Sequence, residues 1–385
     1  MHKKKLAVVL DSFGIGGIPK ACNVHMARLL VYYDITLFLK TDKGELYKDI
    51  PSGVKKVFVT SDNVKTIILK DLKKFKIFSA ISFLFKFLKN RKNIVLCDEI
   101  VNKKRGLVTE EEFDAVFAYH GMNLWNLTFS LYRLKGKKKI AWIHGDHPYK
   151  GDEIEKIGKV YSQYDRIYCV SQVCKDNFIA DFPLLENKLY VFLNQINSKE
   201  IIDKSLDALP EKFDNTKINI VTVGRLSPEK GQDLIPSAIA KLVEQDYSVH
   251  WYIVGGGEDY CRLYNLAEKN NVLDFITFTG SKENPYTYIR YCDVYVQPSY
   301  SECYGLSISE AGILGKAIVA TDICGIKPEL SSNDAAIFVK PDSQDIANAI
   351  KLLIDNPELK AKIEQNVVKI DFSHTTENEK LLEYI

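Results

Sequence analysis

Short apolar runs, each closed by a glycine or a polar residue, recur along the chain. They are Leu6 to Leu10, Ala115 to Ala118, Ile140 to Ile143, Ile167 to Val170, Ile218 to Val223, His250 to Val254, Val294 to Val296 and Ile318 to Ala320. Continuous rather than alternating apolar character is what a strand covered on both faces needs, so these runs predict buried parallel strands. Stretches of helical periodicity lie between many of them, for example 233–244 and 345–354. The alternation of strand and helix predicts an α/β protein with doubly wound sheets, whose ligand sites lie at the carboxyl ends of the strands. The polar, turn-rich stretch 194–216, followed by a fresh strand at Ile218, predicts a linker between two such domains.

The chain has 385 residues, 46% hydrophobic and 26% charged, enough for two packed cores and unlike a disordered or disulfide-built protein. Its formal net charge of +2 hides an asymmetry: 28 basic and 14 acidic side chains occur through Lys150, against 24 and 36 beyond it. The first part is a cation, for which an anionic surface such as phospholipid or nucleic acid is the natural candidate partner. Eight cysteines include no C-x-x-C pair and sit in or beside apolar runs, so zinc and haem are unsupported and the thiols read as those of a reducing cytoplasm. The apolar stretch after Lys3 to Lys5 is too short for a signal peptide. The segment 115–132, the longest without Lys, Arg, Asp or Glu, contains His120, Gly121, Asn123 and Asn126 and is rejected as a membrane span.

Five loops carry candidate chemistry. Asp11 to Pro19 holds Gly14, Gly16 and Gly17 after the first strand. Its glycine spacing does not fit a dinucleotide fingerprint, leaving a substrate loop or a tight turn. Val223 to Gly231 places Arg225 and Lys230 where two cations can meet one phosphate group, unless the segment is a capped turn with solvated charges. Glu302 to Glu310 spans a loop and the start of a helix near Leu306. Free amides there suit a phosphate, and Glu310 suits vicinal ribose hydroxyls or, alternatively, only the helix dipole. His144 and Asp146 close one apolar strand and His120 another. The sequence contains no D-x-D tripeptide, P-loop or G-x-S-x-G elbow, so those routes to metal-bridged phosphate binding and hydrolysis lose support.

Together these residues resemble glycosyltransferase family 4, the group 1 glycosyl transferases, as found among bacterial capsular, exopolysaccharide and lipopolysaccharide enzymes. The elements follow that family's order from Gly224 to Leu226, Glu229 to Gly231, Ile253 to Glu258, Phe278 to Gly280, Asp293 to Ser299 and the E-x7-E span Glu302 to Glu310. The resemblance implies a GT-B fold of two Rossmann-like domains facing across a cleft. It implies an acceptor domain at 1–195, a nucleotide-sugar domain at 196–369 with a linker at 196–216, and a helix at 370–385 returning to the first domain. The implied activity is retaining transfer of a hexose or N-acetylhexosamine from a nucleotide-diphosphate sugar, by family habit UDP, to a glycan or lipid-linked saccharide. No metal or other cofactor and no nucleic acid is implied.

By the same resemblance Arg225 and Lys230 hold the diphosphate, Glu302 contacts the transferred sugar, and Glu310 takes the ribose. Gly16, Gly17, Gly256, Tyr304, Gly305, Leu306 and Ser307 approach the donor, while Gly280, Ser281 and Lys282 border the base. His144 positions or polarises. Asp146, His120, Pro19 and Lys20 face the acceptor. Three positions depart from the common pattern: Cys303 and Tyr304 for Gly-Phe, Pro19 and Lys20 for Glu-Arg, and Ala317 for proline. Other readings are a GT-B-type sugar-nucleotide epimerase, a silent carbohydrate-binding scaffold or a nicotinamide-dependent oxidoreductase.

The segment Lys65 to Lys92 is rich in lysine and phenylalanine, with Ile77, Ile81, Leu84 and Leu88 at helical spacing. It reads as a basic amphipathic helix at an anionic membrane surface, with core helices carrying snorkelling lysines as the alternative. The expected location is cytoplasmic, peripheral on the inner face of the membrane.

Overall fold

The computed structural model describes residues 3–59, 64–91, 93–145, 147–208, 213–214, 216–323 and 325–385. The chain divides into two compact units, Met1–Leu193 with Thr375–Ile385, and Asn194–His374. The first unit holds strands β1 (Lys4–Val9), β2 (Tyr33–Leu39), β3 (Lys55–Phe58), β4 (Glu112–Ala118), β5 (Lys135–Ile143), β6 (Arg166–Cys169) and β7 (Leu189–Val191). All pair in parallel in the order β3-β2-β1-β4-β5-β6-β7. The second holds β8 (Ile218–Val223), β9 (Val249–Val254), β10 (Ile276–Gly280), β11 (Val294–Gln297), β12 (Ala317–Thr321) and β13 (Ile337–Val339). Its order is β10-β9-β8-β11-β12-β13, again parallel.

The eight apolar runs are the centres of these sheets, β1, β4, β5 and β6 in one and β8, β9, β11 and β12 in the other. Helices cover both faces, so both faces of each central strand are dry. Trp251, Ile220 and Val296 are fully buried in the second unit, and Trp142 and Phe117, with ring centroids 4.6 Å apart, in the first. Strands β3, β7 and β13 escape the run criterion because they are short edges of three or four residues, only partly covered. Each unit is a doubly wound, Rossmann-like parallel sheet.

The stretch read as a linker contains a helix, Ser198–Ser205, that belongs to the second unit. Asn197 caps it by accepting from the Glu200 amide at 3.3 Å, Ile201 and Ser205 are buried, and Asn284 donates to its Lys204 carbonyl at 2.8 Å. A helix of eight residues with one buried stripe is easily taken for a polar connection. The chain re-enters the first unit at Thr375, and the helix Glu377–Tyr384 docks there. The Arg166 guanidinium stacks 3.5 Å from the Tyr384 ring centroid, and Lys4 Nζ donates to the Ile385 carbonyl at 3.0 Å.

Candidate active site

In a doubly wound sheet the strand order reverses at one point, and loops leaving the two strands there diverge to opposite faces, opening a crevice at their carboxyl ends. In the second unit that point lies between β8 and β11. The loop after β8 begins at Gly224, and its course is set by close backbone packing. A Cβ on Gly255 would lie 1.9 Å from the Gly224 carbonyl oxygen, and one on Gly257 would lie 2.1 Å from that of Leu226. Only glycine allows the turn after β9 to press so closely on this loop. Gly256, the glycine singled out in the sequence, instead faces Ser281, whose Oγ would be 2.6 Å from a Cβ there. Gly280 and Ser281 border this turn, with the Gly255 amide donating to the Gly280 carbonyl at 3.1 Å, and Ser281 and Lys282 are exposed.

Arg225 and Lys230, expected to meet on one group, each face a different carboxylate. Arg225 Nη2 is 3.1 Å from Glu229 Oε1, with the arginine side chain 72% exposed. Ser227 does not cap the short helix Pro228–Lys230 with its side chain; its hydroxyl donates to Glu229 Oε1 at 2.6 Å. Burial opposes ionisation of Glu229, but the Ser227 hydroxyl, a backbone amide and Arg225 outweigh it and hold the carboxyl below its ordinary value. Arg225, Leu226, Ser227 and Glu229 line an open pocket together with Glu258.

Lys230 Nζ reaches Glu302 Oε2 at 2.6 Å, with only 21% and 13% of the two side chains exposed. Gly231 makes this approach possible. It sits at φ 64°, and a Cβ would lie 2.0 Å from the Pro298 carbonyl oxygen. The Glu229 carbonyl accepts from the Tyr300 and Ser301 amides at 2.8 and 3.1 Å, stitching the two loops together.

Beyond Glu302, Gly305 at φ 101° precedes the helix Leu306–Ile313. The amides of Leu306 and Ser307, as its first two residues, have no acceptor within the helix. Ser307 Oγ donates to Gln297 Oε1 at 3.1 Å, Tyr295 Oη to the same oxygen at 2.8 Å, and Gln297 Nε2 to Ser299 Oγ at 2.9 Å. Glu310 lies in the second turn, 5% exposed, and accepts from Tyr286 Oη at 3.3 Å. Tyr304 is buried with its Oη 2.8 Å from His374 Nε2, and His374 stands 3.4 Å from Glu329 Oε2.

In the first unit the order reverses between β1 and β4, and their loops bring Asp11 and His120 together. His120 Nδ1 is 3.6 Å from Asp11 Oδ1, and Asn126 Nδ2 donates to that oxygen at 3.2 Å. Burial opposes the charge on Asp11, yet His120 and Asn126 hold its carboxyl below the ordinary range. Gly121 fixes His120 in place, since its amide donates to the Trp142 carbonyl at 2.7 Å and a Cβ would come within 2.5 Å of that oxygen.

His144 lies against Tyr119, ring centroids 5.2 Å apart, and its buried Nε2 has no hydrogen-bond partner among the described residues. Burial, reinforced by His120, lowers its pKa to about 3. The ring is therefore neutral at physiological pH and offers a lone pair or an N–H rather than a positive charge. Gly16 and Gly17 open the helix Gly17–Leu29, which carries Pro19 and Lys20 in its first turn. Asp146 lies outside the described residues.

Sequence reasoning missed Asp11, Asn126, Gln297, Tyr286 and His374, which are ordinary polar residues until the fold brings them beside residues already named. The turn glycines Gly255 and Gly257 carried a signal, being a run of three after a strand.

Residues 186–369 match the family described as Glycosyl transferases group 1. An uncharacterised glycosyltransferase of Methanocaldococcus jannaschii is 25% identical over 311 residues, covering 78% of this chain and 79% of that protein. A phosphatidylinositol N-acetylglucosaminyltransferase GPI3 subunit of Saccharomyces cerevisiae is 28% identical over 195 residues. That match covers 50% of this chain and 43% of the yeast protein, so the chain spans less than half the length of this relative. Among solved structures, Anabaena HepE in complex with UDP-glucose shares 17% identity at a TM-score of 0.71, with 99% of both chains covered. A glycosyltransferase from Rickettsia africae gives the same TM-score and identity over 100% of this chain and 98% of its own.

Proposed function

Because residues 186–369 match the group 1 glycosyl transferases, we propose that the chain moves a hexose or N-acetylhexosamine from a UDP-sugar to a glycan or lipid-linked saccharide. Transfer proceeds with retention and without a metal ion. The observation that carries this reading is the Lys230–Glu302 contact of 2.6 Å, at the switch point of the second sheet and beside the helix start at Gly305. That arrangement offers a cation, two helix-start amides and two carboxylates within one loop system. The cation and the amides suit the phosphate oxygens, and the carboxylates can accept from the hydroxyls of a sugar and a ribose.

On this reading Lys230 and Arg225 take the diphosphate, with the Leu306 and Ser307 amides adding fixed dipoles to the same oxygens. Glu310, held by Tyr286, accepts from the ribose hydroxyls. Glu302 orients the sugar while Lys230 neutralises the leaving phosphate, whose charge grows as the glycosidic bond breaks. Same-face displacement then lets the departing phosphate accept the acceptor's proton. Neutral His144, with a lone pair or N–H to offer a hydroxyl, positions the substrate rather than supplying charge. The HepE complex supports UDP as the nucleotide, since there UDP-glucose is bound to the same fold.

A thermal-shift screen of UDP-, GDP- and dTDP-sugars tests the donor, because a ligand at 100 times its Kd stabilises by about 2.7 kcal/mol. The product's anomeric configuration by NMR tests retention, and EDTA tests the metal-free step. Loss of activity in EDTA or an inverted anomer would refute the corresponding part. Epimerised donor, or donor binding with no turnover on any acceptor or water, would favour an epimerase or a silent scaffold.

A further inference from the structure

The segment between β3 and β4 forms helices Val64–Lys73 and Ile77–Lys89, packed in the first unit against the helix Ile94–Arg105. An ordinary surface helix has one apolar stripe, turned inward. The helix Ile77–Lys89 has two. Ala80 and Phe83 are buried, with the Phe87 ring tilted against Phe83 at 6.4 Å between centroids, and these positions at i, i+3 and i+7 form the inward stripe. On the other side Ile77, Phe78, Ile81, Leu84, Phe85 and Leu88, at i, i+1, i+4, i+7, i+8 and i+11, form a second stripe that is 37% to 90% exposed. The turn before the helix adds Phe75, held at φ 56° with its side chain 91% exposed. A left-handed phenylalanine is a strained way to end a turn. The core gains nothing from that ring.

The charges around this stripe have one sign. Lys73, Lys74, Lys76, Lys86 and Lys89 are exposed, and the only acidic residue between Lys65 and Lys92 is Asp71. Asp71 is turned to Lys104 at 2.5 Å and is thus neutralised from within the protein. An apolar stripe with a basic rim matches a surface that has anionic headgroups above an apolar interior. A second copy of the chain would bring the same lysines against one another. Among the described residues no helix is long and apolar enough to cross a membrane, so the match is to lying on one.

We propose that this helix pair is a docking face for an anionic lipid bilayer. Phe75, Phe78, Ile81 and Phe85 enter the boundary between headgroups and acyl chains, and the flanking lysines bind lipid phosphates. The proposal uses none of the residues assigned to sugar transfer, so each can fail without the other.

The full chain is mixed with vesicles of phosphatidylcholine alone and with vesicles in which roughly one lipid in three is phosphatidylglycerol. Binding at least about tenfold stronger to the anionic vesicles is expected. The triple variant Phe75→Ser, Phe78→Ser, Phe85→Ser removes only exposed side chains, so it should keep its thermal midpoint and lose at least about tenfold in vesicle binding. Phe78→Trp should be quenched by lipids brominated on their acyl chains. Three results would overturn the proposal: equal binding by the triple variant, no quenching at Phe78→Trp on bound vesicles, or a concentration-dependent dimer that the triple variant dissolves while vesicles are ignored.

Discussion

The side chain of Lys230 holds that of Glu302 at 2.6 Å across 72 positions of sequence, in a site where both are largely shielded from water. The pair sets the spacing between the loop after β8 and the loop after β11. Truncating one partner leaves the other a poorly solvated charge, which costs about 3–5 kcal/mol when fully buried and less here. Lys230→Ala should therefore lower stability by about 1–3 kcal/mol and turnover on the order of 10²-fold or more. Urea titration and steady-state kinetics on the same preparation separate the two effects. Near wild-type turnover in a folded variant would remove Lys230 from the catalytic machinery.

Arg225 gives the complementary case. Its guanidinium is 72% exposed and its partner Glu229 is already served by Ser227, so Arg225→Ala should change stability by no more than about 0.5 kcal/mol. If it binds diphosphate, the same variant loses on the order of 10²-fold in kcat/KM. Unchanged kinetics would place the arginine outside the donor site.

The loop geometry predicts where a single methyl group does the most harm. Gly257→Ala places a Cβ 2.1 Å from the Leu226 carbonyl oxygen, a backbone atom that cannot step aside cheaply. The variant should lose about 1–3 kcal/mol or more and weaken nucleotide-sugar binding through displacement of the 224–226 loop. Gly280→Ala makes a control of another kind. A Cβ there meets nothing within 4 Å, and its penalty is only that of φ 72°. Equal effects on donor binding would show that the close approach is not what shapes the loop.

Much of this arrangement was legible in the sequence, and the limits were physical. Buried central strands announce themselves because both faces must be apolar, which is why β1, β4, β8 and β11 stand out while the edge strand β13 does not. Charged residues in loops can be named but not paired. Arg225 and Lys230 are five positions apart, and no rule of spacing tells that one turns to Glu229 and the other to Glu302. His144 could be recognised at a strand end, but its neutrality comes from burial, reinforced by His120 at the neighbouring strand's exit. The helix Ser198–Ser205 was hidden because only two of its eight residues are buried.

The buried histidines predict a pH dependence with a definite sign. Burial lowers the pKa of both His25 and His144 to about 3, against about 6.5 in the unfolded chain. The unfolded state binds more protons below pH 6.5, so the stabilising effect is complete above that value and is lost as pH falls toward 3. Between about pH 5.5 and 4.5 each histidine contributes a slope of about 1.4 kcal/mol per pH unit. His144→Asn should reduce the slope of unfolding free energy against pH by that amount. Since His144 stays neutral throughout, no step in activity between pH 5 and 8 should vanish in this variant.

Tyr304, one of the departures from the pattern that the sequence resembles, has a hydroxyl whose contacts show what the extra oxygen does. The Oη meets His374 Nε2 at 2.8 Å, and His374 also faces Glu329. His374 sits at φ 46° as the last residue of the second unit before the chain returns to the first. The contact therefore ties the loop carrying Glu302 and Gly305 to the point where the backbone leaves that unit. Tyr304→Phe keeps the ring and removes only the tie, leaving a largely shielded His374 nitrogen short of one partner. The cost should be about 1–2 kcal/mol of stability. If the tie also holds the donor loop in place, the KM for the nucleotide sugar rises while kcat changes little. A kcat loss with unchanged KM would mean that the hydroxyl acts on the transferred sugar instead.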